Sequence, residues 1–341
     1  FYSICHVSNL INFEGKYCQP DILVPADCDT CLNKKYGIEA GGQQIRRSYW
    51  NNLFSYIDGL IFNTKGGFEL VAKIYPNVAN HPNVEILPVA IEPIEIPKIA
   101  KKDGGELRVA ILGNFAHHKG ADVVLEAIEQ LAGENISFHF FGEIEDAYDE
   151  KMKLSKNHNI YKYGKYPVGK LPVELFSCNV SLHVSICPET YGLALSEAWA
   201  AGLIPVVTNI GALGERVMHL KTGIKIKEGS SEELVKILLA FIRNKKLIEN
   251  FEYPAYFFQT IDLKAQSKIL AAYYISLKDK LGVVLANHSL TNDAPMTRDS
   301  VWAIFYKQSP PRGMSRLSSS KVSIIILSQV IKCLKKIQNW I

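Results

Sequence analysis

The chain has 341 residues, 48% of them hydrophobic and 21% charged, with a formal net charge of +4 at pH 7. A single core seldom grows past about 250–300 residues, so two domains or one large one are expected, with ample apolar material for folding. So small a net charge gives no ground for a nucleic-acid partner, and no run of about 18 apolar residues marks a transmembrane helix.

The chain opens FYSICHVSNL without an initiator Met, as though cut from a longer protein, so an N-terminal truncation is expected. Seven cysteines follow an uneven pattern: Cys5, Cys18, Cys28 and Cys31 lie near the start, while Cys178, Cys187 and Cys333 are scattered. An odd count in a large chain is unlike a small secreted disulfide scaffold and points to a reducing compartment, the cytoplasm. Apolar spacing then predicts a helix over 42–57, a strand over 58–64, a helix over 68–76 and a strand over 84–90. The stretch IEPIEIPKIAKKDGGE is rich in Pro and Lys and ends in Gly-Gly before the last Glu, so a linker is placed over 95–106.

From Leu107 strand and helix signals alternate. Strands are predicted over Leu107–Gly113, Ile136–Gly142, Asn159–Gly164, 180–187, 204–209 and 223–227. Helices are predicted over Ala121–Ala132, 170–179, 194–202 (closed by Gly202), 212–220 and 230–244, the last with a serine cap. Such alternation implies a parallel sheet covered on both faces. The division is therefore a partial α/β domain over 1–94, the linker, a second α/β domain over 107–250, and C-terminal helices and loops over 251–341. A helix is predicted near 263–281. In the tail, Leu327, Val330, Ile331, Leu334 and Ile337 share one helical face, with Lys332, Lys335 and Lys336 elsewhere. That helix either docks on the body or rests, through 321–341, on an anionic membrane surface.

Two loops could carry chemistry. In LGNFAHHKGADVVLEA a strand runs into Gly113 and Asn114, and Lys119 and Gly120 precede a helix. Backbone N–H groups at a helix start beside an ammonium make an anion site, although a plain turn with a solvated lysine has the same sequence. In CPETYGLALSEAWAAGLIPVV, Glu189 and Glu197 stand eight positions apart around Gly192. A helix starting there aims the amides of Tyr191, Gly192 and Leu193 outward, with Glu197 about 7–8 Å further along its axis. A diphosphate at the helix start could reach a ribose beside Glu197 and a sugar beside Glu189; a helix cap plus a buried structural acid is the alternative. Both loops follow strands of one sheet, so both fall on its C-terminal edge. Gly142 ends a neighbouring strand there, in a close backbone approach or a bare turn. Trp199 is read as packing, and Glu215 with Arg216 as a helix-surface pair near the same loop.

On GNFAHHKG, FHFFG, PETYGLALSEAWAAGLIPVV and NIGALGERV, the segment from Leu107 to about Asn250 resembles the donor-binding domain of family 4 retaining glycosyltransferases. That resemblance implies the GT-B fold, two Rossmann-like domains with parallel sheets, here with the first incomplete and a helical C-terminal tail. It implies a nucleoside-diphosphate sugar as donor, a saccharide or lipid-linked acceptor, and no catalytic metal. By residue it implies Glu189 on the donor sugar, Glu197 on the ribose and Lys119 on the diphosphate, with Glu189 and Lys119 as the catalytic pair. Gly113, Asn114, Gly120, Gly142, Tyr191, Gly192 and Leu193 complete the donor site. Many relatives have Gly-Arg where this chain has Gly113-Asn114, so charge neutralisation rests on Lys119, with His117 or His118 contributing only if protonated. The first ninety residues resemble, more loosely, a subset from bacterial surface-polysaccharide clusters that carries similarly spaced cysteines. Cys18, Cys28 and Cys31, with Cys5 or His6, supply four ligands for structural zinc, or else remain free thiols. Two rival readings stay open: a non-catalytic donor-binding or scaffold module, and another GT-B enzyme such as a sugar-nucleotide epimerase.

Overall fold

The computed structural model describes residues 1–91, 105–167, 169–249, 251 and 263–284, the last seven as backbone. The N-terminal portion contains α1 (Pro25–Tyr36), α2 (Gly42–Phe54), β1 (Leu60–Phe62), α3 (Lys65–Ile74), α4 (Pro76–Ala79) and β2 (Val84–Ile86). β1 and β2 pair in parallel. Ile4, Leu10, Phe54, Leu60, Val71, Tyr75 and Val78 close a core beneath them. Thr64 caps α3 by accepting from the Gly67 amide at 3.2 Å, as a threonine before a helix does.

The second portion runs β3 (Leu107–Leu112), α5 (Ala121–Gln130), β4 (Ile136–Phe141), α6 (Asp146–Lys153) and β5 (Ile160–Gly164). It continues with β6 (Val180–His183), α7 (Leu193–Ala200), β7 (Ile204–Thr208), α8 (Gly211–Arg216), β8 (Ile224–Ile226), α9 (Ser231–Arg243) and α10 (Lys246–Glu249). Its six strands are all parallel, in the order β5-β4-β3-β6-β7-β8. β4 and β7 are buried at every position, as strands covered on both faces must be. One face packs Val109, Ile111, Phe138 and Phe140 against α5 and α9 through Val124, Ile128, Leu234 and Leu238. The other packs Ala110, Leu112 and Phe141 against Leu175, Phe176 and Ala198. Ser230 caps α9 through the Glu233 amide, as expected.

α11 (Leu263–Val284) returns to the N-terminal portion. Gln266 donates to the Pro88 carbonyl at 2.7 Å, and the Tyr273 hydroxyl donates to the Asn83 carbonyl at 3.1 Å. Gly59 lies so close beneath it that a Cβ there would stand 2.4 Å from the Tyr273 hydroxyl.

Three expectations change. The helix predicted over 170–179 is only a 3-10 turn, Val173–Ser177, because Cys178 is already extended on the way into β6. The helix over 212–220 stops at Arg216 because Val217 is extended. α1 and α6 were not predicted. Each buries just two residues, Cys28 and Leu32 in one and Tyr148 and Met152 in the other, so neither shows a strong apolar period. All but the last two residues of the expected linker, and the tail helix over 321–341, lie outside the described residues. No helix among those described is long and apolar enough to cross a membrane.

Candidate donor-binding site

The strand order reverses between β3 and β6, which is where an open α/β sheet leaves a crevice at its C-terminal edge. Both candidate loops leave from these two strands. After β3, Gly113 takes φ +87° with open space around its missing side chain, and Asn114 is exposed. The chain passes through a 3-10 turn, His117–Lys119, and Gly120 begins α5 at φ +81°. A Cβ on Gly120 would stand 2.0 Å from the Val184 carbonyl oxygen, so only glycine lets this loop lie against the end of β6. Gly142 resolves as a close approach, since its Cβ would stand 1.9 Å from the Gly113 carbonyl oxygen.

That packing brings Lys119 Nζ to 2.9 Å from Glu189 Oε1. Ser185, just past β6, donates its hydroxyl to the same oxygen, and the Ala212 amide at the start of α8 donates to the Glu189 carbonyl at 3.1 Å. Burial alone would raise the Glu189 carboxyl; the Lys119 charge and the hydrogen bonds from Ser185 and Lys119 outweigh it and hold the group below its ordinary range. Glu189 is therefore ionised at neutral pH. His183 behind it is pushed down to about 4 by burial and stays neutral.

Gly192 adopts φ +80° as the N-cap of α7, where a Cβ would meet Leu213 at 2.9 Å. No side chain caps α7, the Leu195 amide turns back to the Gly192 carbonyl at 3.2 Å, and Leu193 is exposed at the helix start. Glu197 stands on α7, half-buried, and accepts from the Tyr166 hydroxyl at 2.6 Å. Burial raises the Glu197 carboxyl, and the Tyr166 hydrogen bond opposes that rise. One edge thus holds an ionised acid with its lysine, an uncapped helix start and a second acid.

Other expected contributors are placed differently. His117 turns away from the crevice: Nδ1 lies 2.7 Å from Asp122 and Nε2 2.7 Å from the Gly15 carbonyl. It joins the two portions of the chain, and the Gly15 carbonyl followed by Asp122 raises its pKa despite burial. His118 is held below its usual pKa by burial and by Lys119, so it brings no charge at neutral pH. Glu215 and Arg216 do not act as a surface pair. Glu215 accepts the amides of Lys65 and Gly66 at 3.0 and 2.7 Å, at the start of α3, while Arg216 reaches the carbonyls of Tyr191 and Gly192. Trp199 is packing, 2% exposed, with its indole N–H on the Thr222 carbonyl. The cysteines Cys5, Cys18, Cys28 and Cys31 share one neighbourhood, each of the first three thiols being raised by burial and then by neighbouring thiols. All four are free, His6 packs on the Tyr36 ring, and no group of three or more candidate ligands among the described residues could hold a metal. The zinc expectation therefore finds no support in the arrangement of these side chains.

Sequence reading missed Tyr166, Ser185 and the true partners of Arg216. Tyr166 could have been found, because it follows β5 at the same sheet edge as Gly113 and Gly142. Arg216 gives no local signal, since its partners lie 24 and 25 positions upstream.

Residues 93–256 match the family of glycosyl transferases group 1. Among solved structures, Anabaena HepE in complex with UDP-glucose is similar at TM-score 0.56 and 18% identity, over 68% of this chain and 68% of that one. Sucrose-phosphate synthase from Thermosynechococcus elongatus is similar at TM-score 0.56 and 15% identity, over 70% and 62%. The pneumococcal O-GlcNAc transferase GtfA, in complex with UDP and GlcNAc, gives TM-score 0.52 and 17% identity, over 69% and 48%. No curated protein sequence matches the chain significantly. The fold is that of the GT-B glycosyltransferases, and the match over residues 93–256, a little under half of the chain, supports a glycosyltransferase.

Proposed function

We propose that this glycosyltransferase moves a sugar from a nucleoside-diphosphate sugar to a saccharide or lipid-linked acceptor with retention of configuration, in cell-surface polysaccharide synthesis. The observation that supports it is the edge between β3 and β6, where Lys119 and Glu189 pair at 2.9 Å beside the uncapped start of α7, with Glu197 further along that helix. The diphosphate sits on the α7 amides, the ribose hydroxyls on Glu197 and the sugar hydroxyls on Glu189. These are complementary chemistries, because amides and an ammonium suit phosphate and carboxylates accept from hydroxyls.

In this reading the bond between the anomeric carbon and the β-phosphate oxygen breaks, and its electron pair leaves with the diphosphate. Lys119 and the α7 amides stabilise the charge that develops there. The acceptor oxygen bonds to the same face of the anomeric carbon, and its proton passes to the departing phosphate oxygen. The acceptor enters a cleft of about 410 Å³ lined by Tyr17, Asp21 and Lys73 on one side and by Pro188, Gly211 and Glu215 on the other.

The test is Glu189→Gln in the full chain, assayed against a panel of nucleotide sugars and saccharide acceptors. Transfer is expected to vanish while nucleotide binding persists; unchanged turnover would sink the reading. Binding without transfer by the unaltered chain supports a non-catalytic module instead. Conversion of the sugar nucleotide without an acceptor supports an epimerase.

A further inference from the structure

The first turn of α7 can grip a diphosphate only if its amides face the crevice, and no side chain caps it from that side. Arg216, the last residue of α8, works from behind. Its Nη1 donates to the carbonyls of Tyr191 at 3.0 Å and Gly192 at 2.8 Å, and Nη2 donates to the Ser196 hydroxyl at 2.6 Å. The guanidinium also lies over the Tyr191 ring, 3.9 Å from its centroid, and 5.4 Å from that of Trp199. One planar fork therefore binds two successive carbonyls and a side chain of the same helix start. A lysine could not reproduce that arrangement.

The consequence follows from peptide geometry. All peptide bonds among the described residues are trans, so the carbonyl of one residue and the amide of the next point in opposite directions. Anchoring the carbonyls of Tyr191 and Gly192 on Arg216 turns the amides of Gly192 and Leu193 away from it. Gly192 is free to adopt the left-handed backbone this requires, at φ +80°. Leu193, the first residue of α7, is exposed.

We propose that Arg216 is the positioning residue that fixes the Tyr191–Leu193 turn in its diphosphate-gripping form, a role that rests on the donor reading above. Arg216 touches no part of the donor. It acts by sparing the ligand the ordering of this turn and by placing a fixed positive charge behind the phosphates.

The test compares the full chain with Arg216→Lys and Arg216→Met by titration calorimetry. The probes are UDP, ADP and GDP, then the nucleoside matching whichever diphosphate the unaltered chain binds. Arg216→Met releases the two carbonyls and the Ser196 hydroxyl together, so it is expected to weaken diphosphate binding roughly tenfold or more. Nucleoside binding should stay within about twofold, since the base and ribose do not use these amides. Arg216→Lys should recover part of the loss. If Arg216→Met does not fold, Ser196→Ala, which removes one of the three anchored groups, should show the same selective loss on a smaller scale. Equal loss of nucleoside and diphosphate, or no loss of either, would overturn the proposal. An unaltered chain that binds none of the three diphosphates refutes the donor reading itself, a result distinct from the other two.

Discussion

Gly120→Ala is a substitution of one methyl group at the joint between the lysine loop and β6. The native backbone sits at φ +81°, where an L side chain costs about 1–2 kcal/mol. The new Cβ would stand 2.0 Å from the Val184 carbonyl oxygen, although ordinary contact begins at 3.4 Å. The neighbour is backbone at the end of a buried strand and cannot swing aside, so overpacking adds about 1–3 kcal/mol. Together these make a destabilisation on the order of 2–5 kcal/mol, which lowers the melting temperature by roughly 5–15 °C for a body of this size. The relief must come from moving the loop about 1 Å off the strand. Lys119 would move with it, away from an acid it meets at 2.9 Å. A displacement of about 1 Å in a positioning group can cost about a hundredfold in rate. Scanning calorimetry and initial-rate kinetics on the same preparation read both effects. A variant that melts within about 1 °C of the parent and turns over at its rate would refute the reasoning.

Two further predictions concern titration. Tyr166→Phe removes the one hydrogen bond that opposes the burial-driven rise of Glu197, so its pKa should climb further. Donor KM should then rise at a higher pH than in the parent as the solution is acidified; superimposable pH profiles would count against Glu197 as the ribose acid. His117 gains its partners on folding, so its pKa is raised above 6.5. Its contribution to stability is fully present below the unfolded value and fades as pH rises through the folded one. The melting-temperature gap between the parent and His117→Gln should therefore be wider at about pH 6 than at about pH 8.5, and a gap independent of pH would show the Gly15 and Asp122 contacts to be inert.

The six-stranded sheet was legible because its strands are short apolar runs separated by glycine-marked turns, a pattern that survives without tertiary information. Glu189 and Glu197 were legible for a similar reason: their spacing is local, and Gly192 between them marks the helix start. Lys119 could be read from its loop, but its pairing with Glu189 depends on Gly120 touching Val184, a contact between elements 64 positions apart. Glu215 was misread because its partners, the amides of Lys65 and Gly66, are about 150 positions upstream. His117 was misread because the Gly15 carbonyl it binds lies 102 positions upstream. α1 and α6 escaped because each buries so little apolar surface that tertiary contacts, not periodicity, decide them.

α8 is six residues long, and its last two side chains bind different parts of the molecule. Glu215 holds the amides that open α3, and Arg216 holds the turn that opens α7. Thr64 strengthens the same bridge by donating to the Thr190 carbonyl at 3.3 Å. A rigid segment whose adjacent side chains hold two helix starts transmits free energy in both directions. If occupancy of the α7 turn tightens the grip on α3, linkage requires closure onto α3 to tighten the α7 turn by the same factor. Glu215 also lies in the wall of the cleft proposed for the acceptor, so in that reading the two substrates would meet through this one short helix. Their order of addition, donor before acceptor or at random, is then a property of how stiffly α8 is held.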